Sequence, residues 1–121
     1  MITKDELKDW LDESSRKAHT EKIEEYIDGA IRRNALAGKT TFHISTGEYT
    51  RQGSRKTAFY DIWYCEGLSE ENRRIVQKRV LKKYRDFGFN VDEIWVDCGW
   101  SNDYRAIQFT DIEKVIVEED E

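Results

Sequence analysis

Two helical segments, each ended by a glycine and followed by an alternating strand pattern, constrain the fold most. The first runs from Thr20 to Gly38 and the second from Ser69 to Gly88, and in both the apolar residues recur at the spacing of one helix face. Thr20 and Ser69 are typical N-caps. At the C-terminal end of each helix a glycine can adopt the left-handed conformation that stops it. Strands are predicted directly after each glycine, at Thr40–Ser45 and at Val91–Cys98.

The remaining segments give weaker patterns. Thr3 and Glu6 form a T-x-x-E capping box, which predicts a separate first helix over about residues 4 to 16. Residues 46–56 are polar and predict a loop or a hairpin tip. Thr57–Cys65 has aromatic residues on both faces, which predicts a central strand. Tyr104–Phe109 is predicted to be the second strand of a hairpin with Val91–Cys98. Ile112–Val117 is predicted to be an edge strand or a short helix.

The predicted order is therefore α-α-β-β-α-β-β. It indicates an α+β fold in which helices cover one face of a mainly antiparallel sheet of four or five strands. The length of 121 residues fits one domain, and we expect it to span residues 1–117. Residues 118–121 are all acidic and predict a solvated tail.

The composition limits the cellular compartment in which we expect the protein. No run of about 18 apolar residues occurs, and the first twelve residues predict an acidic amphipathic helix instead of an export signal. Two cysteines, Cys65 and Cys98, suit reduced thiols in a cytosol, and a single disulfide stays open as the alternative. We expect a cytoplasmic protein without membrane contact.

The net charge of −5 is unevenly spread along the chain. Residues 1–49 carry a net charge of −2, residues 50–90 of +5 and residues 91–121 of −8. Charge separated in this way acts on partner choice and association rate more than on the fold. The chain is therefore expected to present one basic and one acidic surface.

The aromatic residues suggest a partner surface. Four tryptophans stand in 121 residues, and if helices cover one face of the sheet, rings on the opposite face are exposed, as in protein interfaces. The alternative is that the first helix folds across that face and turns the rings into core. The predicted partner-binding residues are Trp63, Trp95, Trp100, Asp97 and Asp103.

A basic stripe on the predicted third helix suggests a second kind of site. Its residues recur at helical spacing and, together with the preceding loop, have the side chains that bind phosphate. The alternative is an ordinary solvated helix face. The predicted nucleic-acid or phosphate-binding residues are Arg51, Arg55, Lys56, Arg74, Lys78, Lys82 and Arg85.

Two segments look alike: D-I-W-Y-C-E-G at 61–67 and E-I-W-V-D-C-G-W at 93–100. Neither is a metal signature, since C-x-x-C and H-x-x-x-H spacings are absent. Cys65 or Cys98 with His43 as a base would form a nucleophilic pair, but nothing in the sequence orients such a base. We therefore expect no metal, no cofactor and no catalytic residue.

The junctions A-L-A-G-K-T-T-F-H-I-S (35–45) and L-K-K-Y-R-D-F-G-F-N-V (81–91) resemble those of small α+β proteins encoded by bacteriophages and prophages. The resemblance covers about residues 20 to 109 and supplies no functional residues. It implies a protein that binds a host protein stoichiometrically, such as an inhibitor of a CRISPR or other defence system, or a virion or replication accessory.

These observations support several hypotheses. The first is a non-enzymatic phage-type inhibitor or modulator, which docks on a host defence or nucleic-acid-processing protein through the aromatic sheet face and the acidic surface. The second is a nucleic-acid-binding accessory protein that uses the basic helix and loop. The third is a small-nucleotide sponge, in which Trp and Tyr stack the base while Arg51, Arg55 or Arg105 holds phosphate, or a virion component that self-associates.

Overall fold

The computed structural model describes residues 1–46, 48–50, 54–56, 58–96 and 104–117. The side chains at 48–50, 54–56 and 117 lie outside this description. Among the described residues, no helix combines the length and the apolar character needed to cross a membrane. The helices and strands are, in chain order, α1 (Lys4–Leu36), β1 (Phe42–Ser45), β2 (Glu48–Thr50), β3 (Ser54–Lys56), α2 (Ala58–Trp63), α3 (Glu70–Phe87), β4 (Asn90–Val96), β5 (Tyr104–Thr110) and α4 (Lys114–Val117).

Helix α1 is one continuous helix, so the prediction of two N-terminal helices is wrong. The Thr20 hydroxyl does not cap a new helix; it donates to the Arg16 carbonyl one turn earlier, at 2.7 Å. The predicted cap at Thr3 is present, since its hydroxyl accepts from the Glu6 N–H. Gly38, with φ of +76°, ends the helix as predicted.

Helix α2 occupies the segment that the aromatic pattern assigned to a central strand, so that prediction is also wrong. The rings contact each other at helical spacing: Phe59 lies 5.8 Å from Trp63, and Tyr60 lies 4.7 Å from Tyr64, between ring centroids. These are contacts between residues i and i+4, which a helix brings together and a strand separates. Phe59 and Trp63 are buried in the core.

Helix α3 matches its prediction at both ends. The Ser69 hydroxyl accepts from the Asn72 N–H at 3.2 Å, and Gly88 follows the last turn with φ of 121°. The helix packs alongside α1, where the Arg16 guanidinium donates to Asn72 and the Lys83 ammonium to Glu24. Its buried residues are Val76, Val80, Leu81 and Tyr84.

The main sheet is antiparallel and has the order β1-β5-β4. This confirms the α+β class and the predicted β4–β5 pairing, but the sheet has three strands where four or five were predicted. Strands β2 and β3 form a separate two-stranded hairpin within the polar segment 46–56. One row of the sheet, Phe42 with Phe109 and Val91, packs against the helices in a single apolar cluster.

The end of β5 is tied to the start of β1. The Asp111 N–H donates to the Thr41 hydroxyl at 3.1 Å, and the Ile112 N–H donates to the Thr40 carbonyl at 3.0 Å. The following residues form the short helix α4, which was one of the two alternatives predicted for Ile112–Val117.

Candidate functional site

The candidate site is a groove on the helix-covered face of the sheet, at the end that the helices leave open. Along β4 the residues Val91, Glu93 and Trp95 share this face, because side chains alternate between the two faces of a strand. Val91 is buried against the helices, whereas Glu93 and Trp95 are exposed. A groove of about 320 Å³ lies beside them, lined also by Trp63, Tyr64, Gln77 and Arg105.

Trp95 and Arg105 form the rim of the groove. The two residues face each other across the β4–β5 ladder. The Arg105 guanidinium carbon lies 4.9 Å from the centre of the Trp95 ring, a cation–π geometry. Trp95 nevertheless remains 65% exposed. The ring is therefore held by its neighbour while most of its area stays available for contact.

Trp63 forms the buried wall of the groove and is only 3% exposed. Its carbonyl oxygen accepts from the Gln77 side-chain amide at 2.9 Å, which fixes the end of α2 to α3. The expectation that Trp63 lies on an exposed sheet face is wrong, because this residue is on a helix that packs into the core.

Trp95 is also on the other face from the one predicted. The face of the sheet opposite the helices carries His43, whose Nε2 lies 3.0 Å from the Tyr104 hydroxyl oxygen. Phe59, Tyr60 and Trp63 belong to α2 instead. The described aromatic side chains are thus divided between the core, the groove and the far face, and do not form one exposed aromatic surface.

The backbone of β4 beside the groove has no strand paired to its outer side within the described sheet. The Thr46 N–H donates to the Arg105 carbonyl at 2.9 Å, so the backbone of Arg105 points to β1. The backbone N–H and C=O groups of successive residues point to opposite sides of a strand. Those of Ala106 therefore point to β4, where its register partner is Ile94. The β4 residues whose backbone groups face outward are therefore Val91, Glu93 and Trp95.

Arg85 covers one end of this edge. Its Nε donates to the Val91 carbonyl at 3.0 Å, and its guanidinium lies 3.5 Å from the Asp92 carboxylate. A charged side chain over an edge strand is a common protection against unwanted pairing. The edge is thus blocked near the C-terminus of α3, and beside Trp95 no other described strand covers it.

The predicted basic stripe lies on an exposed face of α3, but most of its cations are paired. Arg74 contacts Glu70 at 2.7 Å, Lys82 contacts Asp86 at 2.5 Å, and Arg85 is held as described above. Lys78 is exposed, and no ion pair involves it among the described residues. The stripe therefore presents much less free positive charge than its sequence suggests.

Several predicted site residues lie outside the description. These are Arg51, Asp97, Trp100 and Asp103, together with Cys98 and the acidic residues 118–121. Arg55 and Lys56 lie in β3, of which only the backbone is described. Their predicted roles remain predictions.

Cys65 is buried, and burial raises the pKa of its thiol to about 11. Its Sγ donates to the Trp63 carbonyl at 3.5 Å. A thiol with this pKa is protonated at neutral pH, which is the opposite of an activated nucleophile. In the described part of the chain, no three His, Cys, Asp or Glu side chains gather in a way that would hold a metal ion.

Sequence reasoning singled out Trp95 but not the groove around it. Arg105 was considered only as a phosphate ligand, and Gln77 was not considered. The pair of Trp95 and Arg105 could have been found from the predicted β4–β5 hairpin only if the register between the two strands had been known. The segment between the strands spans residues 97 to 103, and a loop of that length does not fix register by its turn type.

Comparison of the chain with protein-family models, with curated proteins and with solved structures finds no match.

Proposed function

We propose that this chain is a non-enzymatic binding protein that recognises another protein at the Trp95–Arg105 groove. In this proposal an extended segment of the partner pairs with the open part of β4 and places a side chain in the groove. The observation that carries the proposal is the exposed Trp95 ring, which contacts Arg105 and lies on a strand with no other described strand on its outer side.

The residue types support a protein partner. Trp, Tyr and Arg are the residues most enriched among those that dominate binding energy at protein interfaces. Peptides that add to a sheet edge gain affinity from backbone hydrogen bonds and specificity from pockets for alternate side chains. A groove of about 320 Å³ is near the lower limit of ligand pockets, which favours one or two side chains over a whole cofactor.

The charge around the groove suggests the chemistry of the partner segment. Glu93 is exposed on the groove side of β4, and residues 91–121 carry a net charge of −8. A segment with a basic residue beside an apolar one would match this surface. In the phage-type interpretation the partner is a basic host defence or nucleic-acid-processing protein, and the acidic region competes with its nucleic acid.

The pairing of the basic stripe argues against nucleic acid as the main ligand. Arg74, Lys82 and Arg85 have carboxylate neighbours, which lower the net positive charge that this face offers to phosphate. Charge contacts are what give nucleic-acid binding most of its affinity.

The test is site-specific cross-linking combined with affinity capture from bacterial lysate. A photoreactive amino acid replaces Glu93 at the open edge, and the capture is repeated with Trp95→Ala and with Trp10→Ala, a second exposed tryptophan away from the groove. We expect one protein to be cross-linked at position 93, captured by wild type and Trp10→Ala and lost with Trp95→Ala.

Two results would contradict the proposal. One is capture of the same protein by Trp95→Ala as by wild type, without a cross-link at position 93. The other is recovery of nucleic acid at low salt that disappears when Arg74, Lys78, Lys82 and Arg85 are neutralised, which would move the function to the basic stripe.

A further inference from the structure

The outer edge of β4 leaves an added strand only a short place to pair, and this limits what the partner segment can be. The outward backbone groups of the strand belong to Val91, Glu93 and Trp95. The Val91 carbonyl already accepts from the Arg85 Nε at 3.0 Å. Among the described residues, none bonds to the outer backbone groups of Glu93 or Trp95, so an added strand would pair at these two residues.

Antiparallel pairing suits such a short place better than parallel pairing. In an antiparallel ladder, one residue exchanges both hydrogen bonds with the residue directly opposite, so two partner residues are enough for Glu93 and Trp95. In a parallel ladder the bonds are slanted and spread over three alternate partner residues, and the first of these would lie opposite Asp92. The Arg85 guanidinium lies 3.5 Å from the Asp92 carboxylate, so it obstructs the parallel strand at that position.

Only alternate side chains of an added strand would face the groove. Residues directly opposite each other in an antiparallel pair point to the same face of the sheet. The partner residues opposite Glu93 and Trp95 would therefore lie on the groove side, and the residue between them would point to the far face. Recognition by side chains thus depends on two partner positions separated by one residue.

Glu93 favours a basic residue opposite it. The Glu93 side chain is exposed, and none of the ion pairs among the described residues involves it. Opposite charges directly across a ladder stabilise the pairing, and like charges destabilise it. An added strand would therefore gain from Lys or Arg at this position.

Trp95 favours an apolar residue opposite it. The Arg105 guanidinium carbon lies 4.9 Å from the centre of the ring, so a basic partner residue at Trp95 would approach a like charge. The ring is 65% exposed, and pairs of an aromatic residue with an aromatic or β-branched one are among the stabilising cross-strand pairs. The two partner positions therefore differ: one is basic and the other is apolar.

We propose that the segment recognised at the Trp95–Arg105 groove is an antiparallel strand with the order apolar-x-basic. The apolar residue faces Trp95, and Lys or Arg faces Glu93. Because the two strands run in opposite directions, the residue that faces Trp95 comes first in the partner sequence. A parallel strand would need the reverse order, basic-x-apolar. This inference rests on the proposed function, which places the partner on the β4 edge, and it adds the direction and the sequence of the segment.

The test is an NMR titration of the nitrogen-15-labelled protein with two peptides of the same composition. The first is acetyl-Thr-Phe-Thr-Lys-Thr-amide and the second is acetyl-Thr-Lys-Thr-Phe-Thr-amide. We expect the first peptide to shift the amide resonances of Glu93 and Trp95 and to bind about tenfold more tightly, since the second cannot form both cross-strand pairs in the antiparallel direction.

A charge exchange tests the contact at Glu93. Glu93→Lys should weaken binding of the first peptide at least about threefold and should favour acetyl-Thr-Phe-Thr-Glu-Thr-amide by a similar factor. Glu113→Lys is the matched control, because Glu113 is also exposed but lies outside the groove lining. It should bind the first peptide as wild type does.

A nitroxide at the N-terminus of the first peptide tests the direction. It should broaden the Trp95 amide resonance more than the Val91 amide resonance, because the start of an antiparallel peptide lies beside Trp95.

Four results would overturn the proposal. They are tighter binding of the second peptide, stronger broadening at Val91 than at Trp95, unchanged binding of the first peptide to Glu93→Lys, and no binding of either peptide. The cross-link from lysate at position 93 does not depend on these peptides. A partner captured there together with any of the four results would refute the apolar-x-basic strand and leave the proposed function standing.

Discussion

Segments 61–67 and 93–100 have similar sequences, but 61–67 and the described part of the second segment, 93–96, have different structures. Both contain Ile-Trp followed closely by Cys and Gly. In the first, Trp63 ends a helix and is 3% exposed; in the second, Trp95 lies in a strand and is 65% exposed. The shared residues therefore fix neither the secondary structure nor the burial of the tryptophan.

The difference comes from the residues around each tryptophan. Phe59 is four residues before Trp63 and contacts its ring, which a helix makes possible. Trp95 instead meets Arg105 from the neighbouring strand. One tryptophan therefore contributes to the core and the other to the surface, and four predictions test how complete this division is.

The largest effect is expected for Trp63→Ala. Removing this buried ring leaves a cavity, and we expect the free energy of unfolding to fall by about 3–5 kcal/mol. Trp95→Ala is the matched variant and should change it by less than about 1 kcal/mol. Urea denaturation measures both. Equal losses in the free energy of unfolding would contradict the assignment of Trp63 to the core and of Trp95 to the surface.

The second prediction concerns the cysteine of the first segment. Because burial raises the pKa of the Cys65 thiol from 9.0 to about 11, the thiolate at pH 8 is about 100-fold scarcer than in the unfolded chain. Alkylation of Cys65 in a Cys98→Ser variant should be slower by at least that factor when the protein is folded. Its rate should rise with pH until about pH 11.

Mass spectrometry of the alkylated peptide over a pH series measures the alkylation rate of Cys65. A reaction with a midpoint near the ordinary thiol pKa would show that the end of α2 opens readily.

A smaller effect is expected for Gln77→Ala. It removes the hydrogen bond from the Gln77 amide to the Trp63 carbonyl, and we expect a loss of about 1 kcal/mol in the free energy of unfolding. Gln108→Ala, on the opposite face of the sheet, is the comparison. A larger loss in the free energy of unfolding for Gln108→Ala would show that the polar contact that stabilises the fold most lies outside the groove.

The smallest effect is the coupling between Trp95 and Arg105. A double-mutant cycle with Trp95→Ala and Arg105→Ala should give about 0.5–1 kcal/mol, since the cation–π pair is exposed to solvent. Thermal denaturation of the four proteins measures it. A coupling of zero would mean that Arg105 does not hold the ring.

Elements with local boundary signals could be predicted from the sequence. Helix α3 has a serine cap and a glycine stop, and β4 and β5 alternate clearly, so each was placed correctly to within a few residues. The antiparallel class of the sheet followed from the order of these elements. The Thr3 cap and the Gly38 stop of α1 were found in the same way.

The errors arose where a local signal competes with tertiary contacts. Thr20 has the residue type of a cap, but in the middle of α1 its hydroxyl bonds to Arg16 instead. The aromatic run at 57–65 suits a strand, yet the stacking of Phe59 on Tyr26 of α1, at 4.7 Å between ring centroids, favours a helix there. The open groove at Trp95 depends on where the helices stop covering the sheet, which sequence patterns do not encode.

The tie between β5 and the start of β1 has a consequence for how the chain folds during synthesis. Strand β5 lies at the centre of the sheet but is the last described strand to leave the ribosome, so β1 and β4 have no partner until then. The helices and the β2–β3 hairpin can form earlier, because their hydrogen bonds are local. A chain that stalls before residue 104 would expose two unpaired strands, which makes late termination more hazardous for aggregation than early termination.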